Sequence, residues 1–449
     1  MNRTTLYERP RIVRHQPGGI NKFGQPQRTR VLDQIDGVSV SELVERFGSP
    51  LFVFSERRLI NRFRELEQAF ARRYSPLRIA WSYKTNYLQA ICRVFHREGA
   101  FAEVVSPFEY DKAIACGVSS EHIHFNGPFK PDDVLARAVK GGTMLHIDNL
   151  DEIGRIDRAA AGTGRRARVA VRVNQAIDGV QSWSRFGLNL ESGQAQEAIE
   201  VVLGSGHLDL VGLHTHIGTF ILEPRAYTVA ATKMAQLAND LLRKHGLRLS
   251  FIDLGGGFAS PNTLKGQYLD GEQASPSFAR YADAICEGLS ELEYPPDQMP
   301  ALVLETGRAL VDDAGTLVST VHATKRLPDG RRALVLDAGV NLLFTSFWYR
   351  HDVAIAQDVS GAAEPTVLYG PLCMNIDVMR DSVSLPPLQA GDRLLFRNVG
   401  AYNVTQWMQF ITLRPAVVMI GVNGTAAVIR RGETVDDLCG YEAVPPWLG

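Results

Sequence analysis

Between residues 78 and 304 the chain alternates two kinds of hydrophobic pattern. Short, nearly unbroken apolar runs rich in Val, Ile, Leu and Phe fall at 78–84, 101–106, 123–127, 143–148, 168–174, 210–218, 250–254 and 301–304. Runs of this kind suit parallel strands buried on both faces. Amphipathic stretches separate them, among them 87–97, 150–160, 193–204, 225–245 and 276–291,. Eight strands alternating with helices over roughly 230 residues predict an α/β fold, a (β/α)8 TIM barrel. The structural alternative, a doubly wound open sheet, would place a Gly-rich turn after its first strand. Here the Gly-rich turn comes near the end, at Gly255–Gly257.

After about residue 309 the pattern changes to short strands between turn residues: 317–322, 332–337, 366–369, 393–397 and 417–421. Asn423-Gly424 followed by Thr425-Ala-Ala-Val-Ile429 predicts a hairpin, with a type I′ turn suited to Asn-Gly,. This is a second, mostly antiparallel β domain. A strand at Leu51-Phe-Val-Phe-Ser55 is surplus to the eight and is assigned to it, preceded by a short helix from Ser39 to Phe47 that Gly48 stops,. The expected division is a loosely ordered arm at 1–30, a segment at 31–55 packing with the β domain, a barrel at 56–308 and the β domain at 309–449,.

Composition narrows the function classes. Of 449 residues 45% are hydrophobic and 22% charged, and 48 Lys and Arg balance 49 Asp and Glu. Near-zero net charge favours neither nucleic acid nor an anionic membrane as partner. Five scattered cysteines without CxxC spacing suggest neither a disulfide framework nor a zinc site,. The polar, basic first 30 residues have no apolar core of a leader, and no run of 18 apolar residues occurs,. A soluble, cytoplasmic protein acting on a small molecule is the expectation.

In a barrel, catalytic groups gather at the C-terminal ends of the strands. Here those ends read Lys84, then Arg172-Val-Asn174, His214-Thr-His-Ile-Gly-Thr219, Leu254-Gly-Gly-Gly-Phe258 and Glu305-Thr-Gly-Arg308. Singly, each has a bland alternative: a solvated strand end for Lys84, a tight turn for Gly255, Gly256 and Gly257, a satisfied core histidine for His216. Taken on one face they suggest more. Glycines including Gly307 let backbone N–H groups approach a phosphate, and Arg308 adds charge-assisted bonds. Glu305, buried at a strand end, needs a partner, either a pyridinium N–H or Arg172 or another basic group in the barrel mouth. His216 can stack on a planar ring. A lysine amine able to form a Schiff base completes the description of a pyridoxal 5'-phosphate site.

At these residues the chain resembles the fold-type III pyridoxal phosphate decarboxylases, the diaminopimelate, ornithine and arginine decarboxylase group, and among them diaminopimelate decarboxylase-like enzymes most. The resemblance runs from about residue 36 to the C-terminus through Leu254–Phe258, Glu305–Arg308, Gly370-Pro-Leu-Cys373 and Gly400-Ala-Tyr402, in the family's order. It implies an alanine racemase-like barrel with Lys84 as the cofactor lysine, His216 against the pyridine ring and Glu305 on its nitrogen. Gly257, Gly307, Arg308, Thr219 and Tyr402 would hold the phosphate, and Arg172 would lie near the cofactor hydroxyl. Cys373 would come from a neighbouring subunit to protonate Cα once carbon dioxide leaves, so the resemblance implies a homodimer with shared active sites.

Two departures concern substrate. The family's diaminopimelate enzymes follow the cysteine with Glu-Ser and its ornithine enzymes with Asp, whereas this chain reads Cys373-Met-Asn375. Met374 cannot pair with a distal ammonium, and a desolvated, unpaired ammonium is costly. In Asn341-Leu-Leu-Phe-Thr345, Thr345 stands near the place of an arginine that binds a distal carboxylate; Arg350, His351 or Arg185 are other candidates for such contacts. The leading expectation is therefore decarboxylation of a modified or conjugated amino acid, such as a siderophore or other secondary-metabolite precursor. The alternative is meso-diaminopimelate decarboxylation in lysine biosynthesis. A racemase would use a tyrosine as second base, and a silent binding homologue would have lost Lys84, Glu305 or Cys373. No metal is expected, because no carboxylate cluster is visible to complete a site with His214 and His216.

Overall fold

The computed structural model describes residues 29–448. The predicted N-terminal arm lies, but for its last two residues, outside the described residues. Strand β1 is Leu51–Ser55. The next eight strands are β2 (Leu77–Ser82), β3 (Phe101–Val104), β4 (Ile123–Phe125), β5 (Met144–Ile147), β6 (Ala167–Asn174), β7 (Leu208–His214), β8 (Phe251–Asp253) and β9 (Ala301–Leu304). Each pairs parallel to the next, and β9 returns to β2 through Leu302 opposite Leu77 and Leu304 opposite Ile79, closing an eight-stranded barrel. Several predicted runs extend beyond their strands, 78–84 and 210–218 among them. Residues 83–85 form a 3-10 turn, and 215–218 lie past the end of β7. They read as strand because Tyr83, Thr85 and Ile217 are buried loop residues, and apolar runs report burial rather than pairing,.

The helices ring the barrel. Helix Leu150–Thr163 starts where Asn149 accepts the Glu152 N–H at 3.0 Å and ends on left-handed Gly164. Helix Pro107–Ala115 starts with a Ser106 cap and proline in its first turn. Such caps each stabilise by ~1 kcal/mol. The barrel floor is apolar, with Ala80, Met144, Ala170, Phe251, Ala301 and Val303 in one cluster. Gly212 on β7 is required there, since a Cβ would run into the Phe251 ring.

The second domain is built on β10 (Gly315–Arg326), followed by β11 (Arg332–Leu336), β12 (Val353–Ile355), β13 (Glu364–Tyr369), β14 (Val378–Leu385), β15 (Arg393–Arg397), β16 (Val417–Ile420) and β17 (Ala426–Arg430). The first half of β10 lies between β1 and β15, and its second half pairs with β11, all antiparallel. Two pairs are parallel, β1 with β16 and β11 with β13. The surplus strand at 51–55 thus joins this sheet. The hairpin β16–β17 is present, but its turn is not type I′. Of Asn423 and Gly424 only the glycine has a positive φ, 80°, and the turn closes from the Gly424 N–H to the Gly421 carbonyl at 2.9 Å. The loop is one residue longer than Asn-Gly alone, which admits an ordinary turn followed by a left-handed glycine. Among the described residues no helix is long and apolar enough to cross a membrane.

Candidate active site

Lys84 sits in the 3-10 turn Tyr83–Thr85, just past β2. Three contacts clasp that turn. The Tyr402 N–H donates to the Thr85 carbonyl at 2.9 Å, the Asn86 amide donates to the Gly400 carbonyl at 3.0 Å, and Gly307 lies so close that a Cβ would collide with the Thr85 hydroxyl. The β domain therefore reaches into the barrel mouth and fixes the lysine. Tyr402 does so at φ 59°, an uncommon conformation for a side chain of that size,. The amine donates to Glu103 Oε2 at 2.6 Å. Its side chain keeps 42% of its solvent access, although the carboxylate beside it keeps 1%. Burial works against the ammonium, but Glu103, Tyr402 and Glu305 outweigh it and hold the amine above its ordinary pKa,.

The glycine turn follows β8. Gly255 and Gly257 have φ of 66° and 96°. A Cβ on Gly256 would meet the Glu305 carbonyl oxygen at 2.6 Å, and one on Gly257 would collide with the Gly218 carbonyl. These glycines are needed for close backbone approach. Thr219 is exposed at the rim of this loop. Opposite stands Arg308, at the start of a single helical turn after β9. Its guanidinium lies 4.6 Å from the Tyr402 ring centre and 5.2 Å from that of Tyr349. Its Nε and Nη1 are buried without a partner. Unmet buried donors on a cation beside a glycine turn fit an anion such as a phosphate. Asp312 ties the two sides together, accepting from Ser260, from Asn262 at 2.7 Å and from the Ala401 N–H.

His216 lies between these groups. Its Nδ1 accepts the Gly256 N–H at 3.1 Å. Burial, with Arg172 and Lys84 nearby, pushes its pKa down to about 3, so the ring is a neutral platform. Trp183 packs on it with ring centres 5.5 Å apart. Arg172, one of the basic groups envisaged as a partner for Glu305, is instead bound to Asp148 at 3.0 Å and lies over Phe186. Glu305 receives the Asn126 amide at 2.6 Å and faces His214 Nε2 at 3.5 Å. The same Asn126 amide donates to Glu103 at 3.1 Å, so a polar chain links Lys84 to Glu305. Burial opposes the charge of Glu305, but His214 beside it and Lys84 pull its pKa well below the carboxylate range. Burial and the Glu305 charge push Asp253 well above that range. Glu103, Asn126 and Asp253 went unnoticed in the sequence. Each is a polar residue within or beside an apolar strand run, which was their one available signal.

Of the remaining predicted residues, all but Arg185 lie in the β domain. Cys373 is exposed in the turn between β13 and β14, with Met374 half-buried beside it. Asp377 builds that turn, accepting N–H groups from Val340 and Leu372 at 2.8 Å each. Thr345 is 2% exposed. Its hydroxyl bonds Asn403 and His351 at 2.9 Å each, so it offers no free group to a ligand, contrary to its expected place in the substrate pocket. Arg185 and Arg350 are exposed and His351 is fully buried. The expectation that no carboxylates accompany the histidines also needs correction. Asp253 and Glu305 gather with His146 about His214, while His216 turns away toward the glycines.

Residues 56–312 match the family model of the pyridoxal binding domain of pyridoxal-dependent decarboxylases. The chain belongs to this family. The diaminopimelate decarboxylase of Methanocaldococcus jannaschii is 31% identical over 432 residues, covering 92% of this chain and 95% of its own. That of Bacillus subtilis is 29% identical over 418 residues, covering 90% and 94%. The crystal structure of the M. jannaschii enzyme in complex with L-lysine superposes with a TM-score of 0.85 at 29% identity, over 92% of this chain and 96% of that one. The protein is thus a pyridoxal phosphate-dependent amino-acid decarboxylase, a carboxy-lyase with the alanine racemase-like fold.

The residues present fit that cofactor. The unmet donors of Arg308 and the glycine cradle suit its phosphate, and the neutral His216 and ionised Glu305 suit the face and nitrogen of its ring. When bound, the cofactor supplies an electron sink for the pair left at Cα when the carboxylate departs. The protein's own groups bind, orient and charge-match around it.

Proposed function

We propose that this decarboxylase acts on meso-diaminopimelate and releases carbon dioxide and lysine. The observation that carries this reading is likeness along the whole chain to relatives that bear the name diaminopimelate decarboxylase, with 92% of this chain matched to the M. jannaschii enzyme. These relatives move the weight away from the siderophore or secondary-metabolite precursor expected from the two departures, and toward the alternative. In this reading Lys84 carries the cofactor and Arg308, Gly257, Gly307, Thr219 and Tyr402 hold its phosphate, while Glu305 serves its nitrogen. Arg172, fixed by Asp148, stands by the cofactor hydroxyl. Cys373 is exposed, which suits a proton donor working across a homodimer in the reducing cytoplasm, where five free thiols persist,.

One observation favours a second reading. Met374 replaces a distal acid, and Thr345 is tied up inside the β domain. A substrate whose far end carries no free ammonium would suit that pocket. Carbon dioxide release over a panel of meso-diaminopimelate, ornithine, lysine and N-acylated amino acids decides between them. Fastest turnover of meso-diaminopimelate supports the first reading, and turnover confined to acylated substrates overturns it.

A further inference from the structure

The barrel interior behind Glu305 holds three histidines where aliphatic side chains ordinarily fill the layer. His214 ends β7, His146 lies near the end of β5 and His124 is in β4, each at most 2% exposed. They form a column. His124 Nδ1 and His146 Nε2 are 3.0 Å apart and share one proton. The His146 and His214 rings meet edge to face with centres 4.8 Å apart. His214 Nε2 faces Glu305 Oε2 at 3.5 Å, and Asp253 Oδ2 stands 3.8 Å from His124 Nδ1. Both nitrogens of His214, Nδ1 of His146 and Oδ2 of Asp253 are buried without a hydrogen-bond partner. So many unmet polar atoms beside one carboxylate are costly unless they serve it.

We propose that His214, backed by His146 and His124, is a positioning residue that holds Glu305 ionised toward the cofactor nitrogen and leaves Asp253 as the neighbouring carboxyl that keeps its proton. Two buried carboxyls with oxygens within 4.8 Å cannot both ionise cheaply,, and the column decides which one does. Asp253 already serves the glycine turn by accepting the Gly255 N–H at 2.8 Å. On the cleft side Glu305 faces Lys84 and, through Asn126, Glu103. Arg78 and Arg168 also bear on His124. Lys130 bears on His146 but is itself paired with Glu152 at 2.9 Å. Burial, reinforced by these cations, brings His124 down to about 4 and His146 well below the usual range. Both remain neutral imidazoles, each with one N–H to give and one nitrogen to receive. The four donors His146, His214, Asp253 and Glu305 also lie within 4.8 Å of one another, which makes a divalent ion the rival occupant.

The inference rests on Glu305 facing the cofactor ring, so Glu305→Gln is the control. Variants His214→Leu, His146→Leu and His146→Asn are compared for pyridoxal phosphate affinity of the apoenzyme by equilibrium dialysis, and for the pH titration of the holoenzyme's absorption spectrum. We expect His146→Leu to weaken cofactor binding about tenfold and to move the spectral midpoint by about one pH unit, with His214→Leu doing more and His146→Asn restoring part. If the folded leucine variants match the wild type in both readouts while Glu305→Gln does not, the column is overturned and the Glu305 reading survives. If Glu305→Gln is silent as well, both fall. Uptake of one equivalent of Zn²⁺ or Co²⁺ by the wild-type holoenzyme, lost in His146→Leu, overturns the column in favour of a metal site. Should leucine at 146 prevent folding, the asparagine variant carries the same comparison.

Discussion

Lys84 and Arg308 are held in opposite ways. The lysine amine already has its counter-ion, Glu103 at 2.6 Å, while the guanidinium keeps two buried donors unmet. An unmet buried donor costs about 1–3 kcal/mol, and an anion that satisfies it recovers that cost. Arg308→Met should therefore weaken pyridoxal phosphate binding on the order of 10- to 100-fold, read by equilibrium dialysis, without lowering the melting temperature of the apoenzyme. Glu109 gives a pH test. Burial raises its pKa to about 7, with Glu103 adding to the rise and the Val105 N–H and Lys84 opposing it. An acid raised on folding contributes stability in full below its unfolded value of 4.5, and loses it as pH climbs through about 7,. The apoenzyme should thus lose roughly 3 kcal/mol across that window in urea titrations, and Glu109→Gln should flatten the loss. An unchanged pH profile in the variant would count against this account of Glu109.

At the level of elements, the site is assembled from turns rather than from regular strands. The glycine turn after β8 leaves no room for a side chain at Gly257 against the Gly218 carbonyl. Gly257→Ala should abolish cofactor retention on gel filtration and cost ~1–3 kcal/mol in thermal melts. The strands that present these turns were legible because parallel strands buried on both faces produce unbroken apolar runs, and β2 to β9 fall within a few residues of those runs. Less legible were loop residues buried as deeply as strands, such as Tyr83 and Ile217, which extended two predicted strands. The Asn423-Gly424 turn was read from a dipeptide, while its geometry depends on how many residues the flanking strands leave unpaired.

Across the whole molecule, the cofactor cleft is a joint product of barrel and β domain. The Gly400–Tyr402 segment grips the lysine turn, and Asp312 links it to the glycine loop. Lys84, His216, Glu305 and Arg308 were visible as strand-end chemistry. Glu103, Asn126, His146 and His124 were not, because their meaning lies in contacts between strands far apart in sequence, as in the 179 residues that separate Asn126 from Glu305. The bonding of Thr345 was not legible for the same reason, since its partners Asn403 and His351 are fixed only by the folded sheet. If Cys373 serves a neighbour's site, two separately inactive variants, Lys84→Ala and Cys373→Ala, should recover roughly a quarter of wild-type activity when their subunits are mixed and allowed to exchange, because half of the random dimers then carry one intact site. No recovery in mixtures shown to exchange would place the whole site within one chain.

The most direct test of the central claim is carbon dioxide release from meso-diaminopimelate by the purified holoenzyme, compared with Lys84→Ala. The wild type should give stoichiometric carbon dioxide and lysine, and the variant neither. Absence of release from meso-diaminopimelate by a cofactor-loaded wild type, or equal release by Lys84→Ala, would contradict the claim.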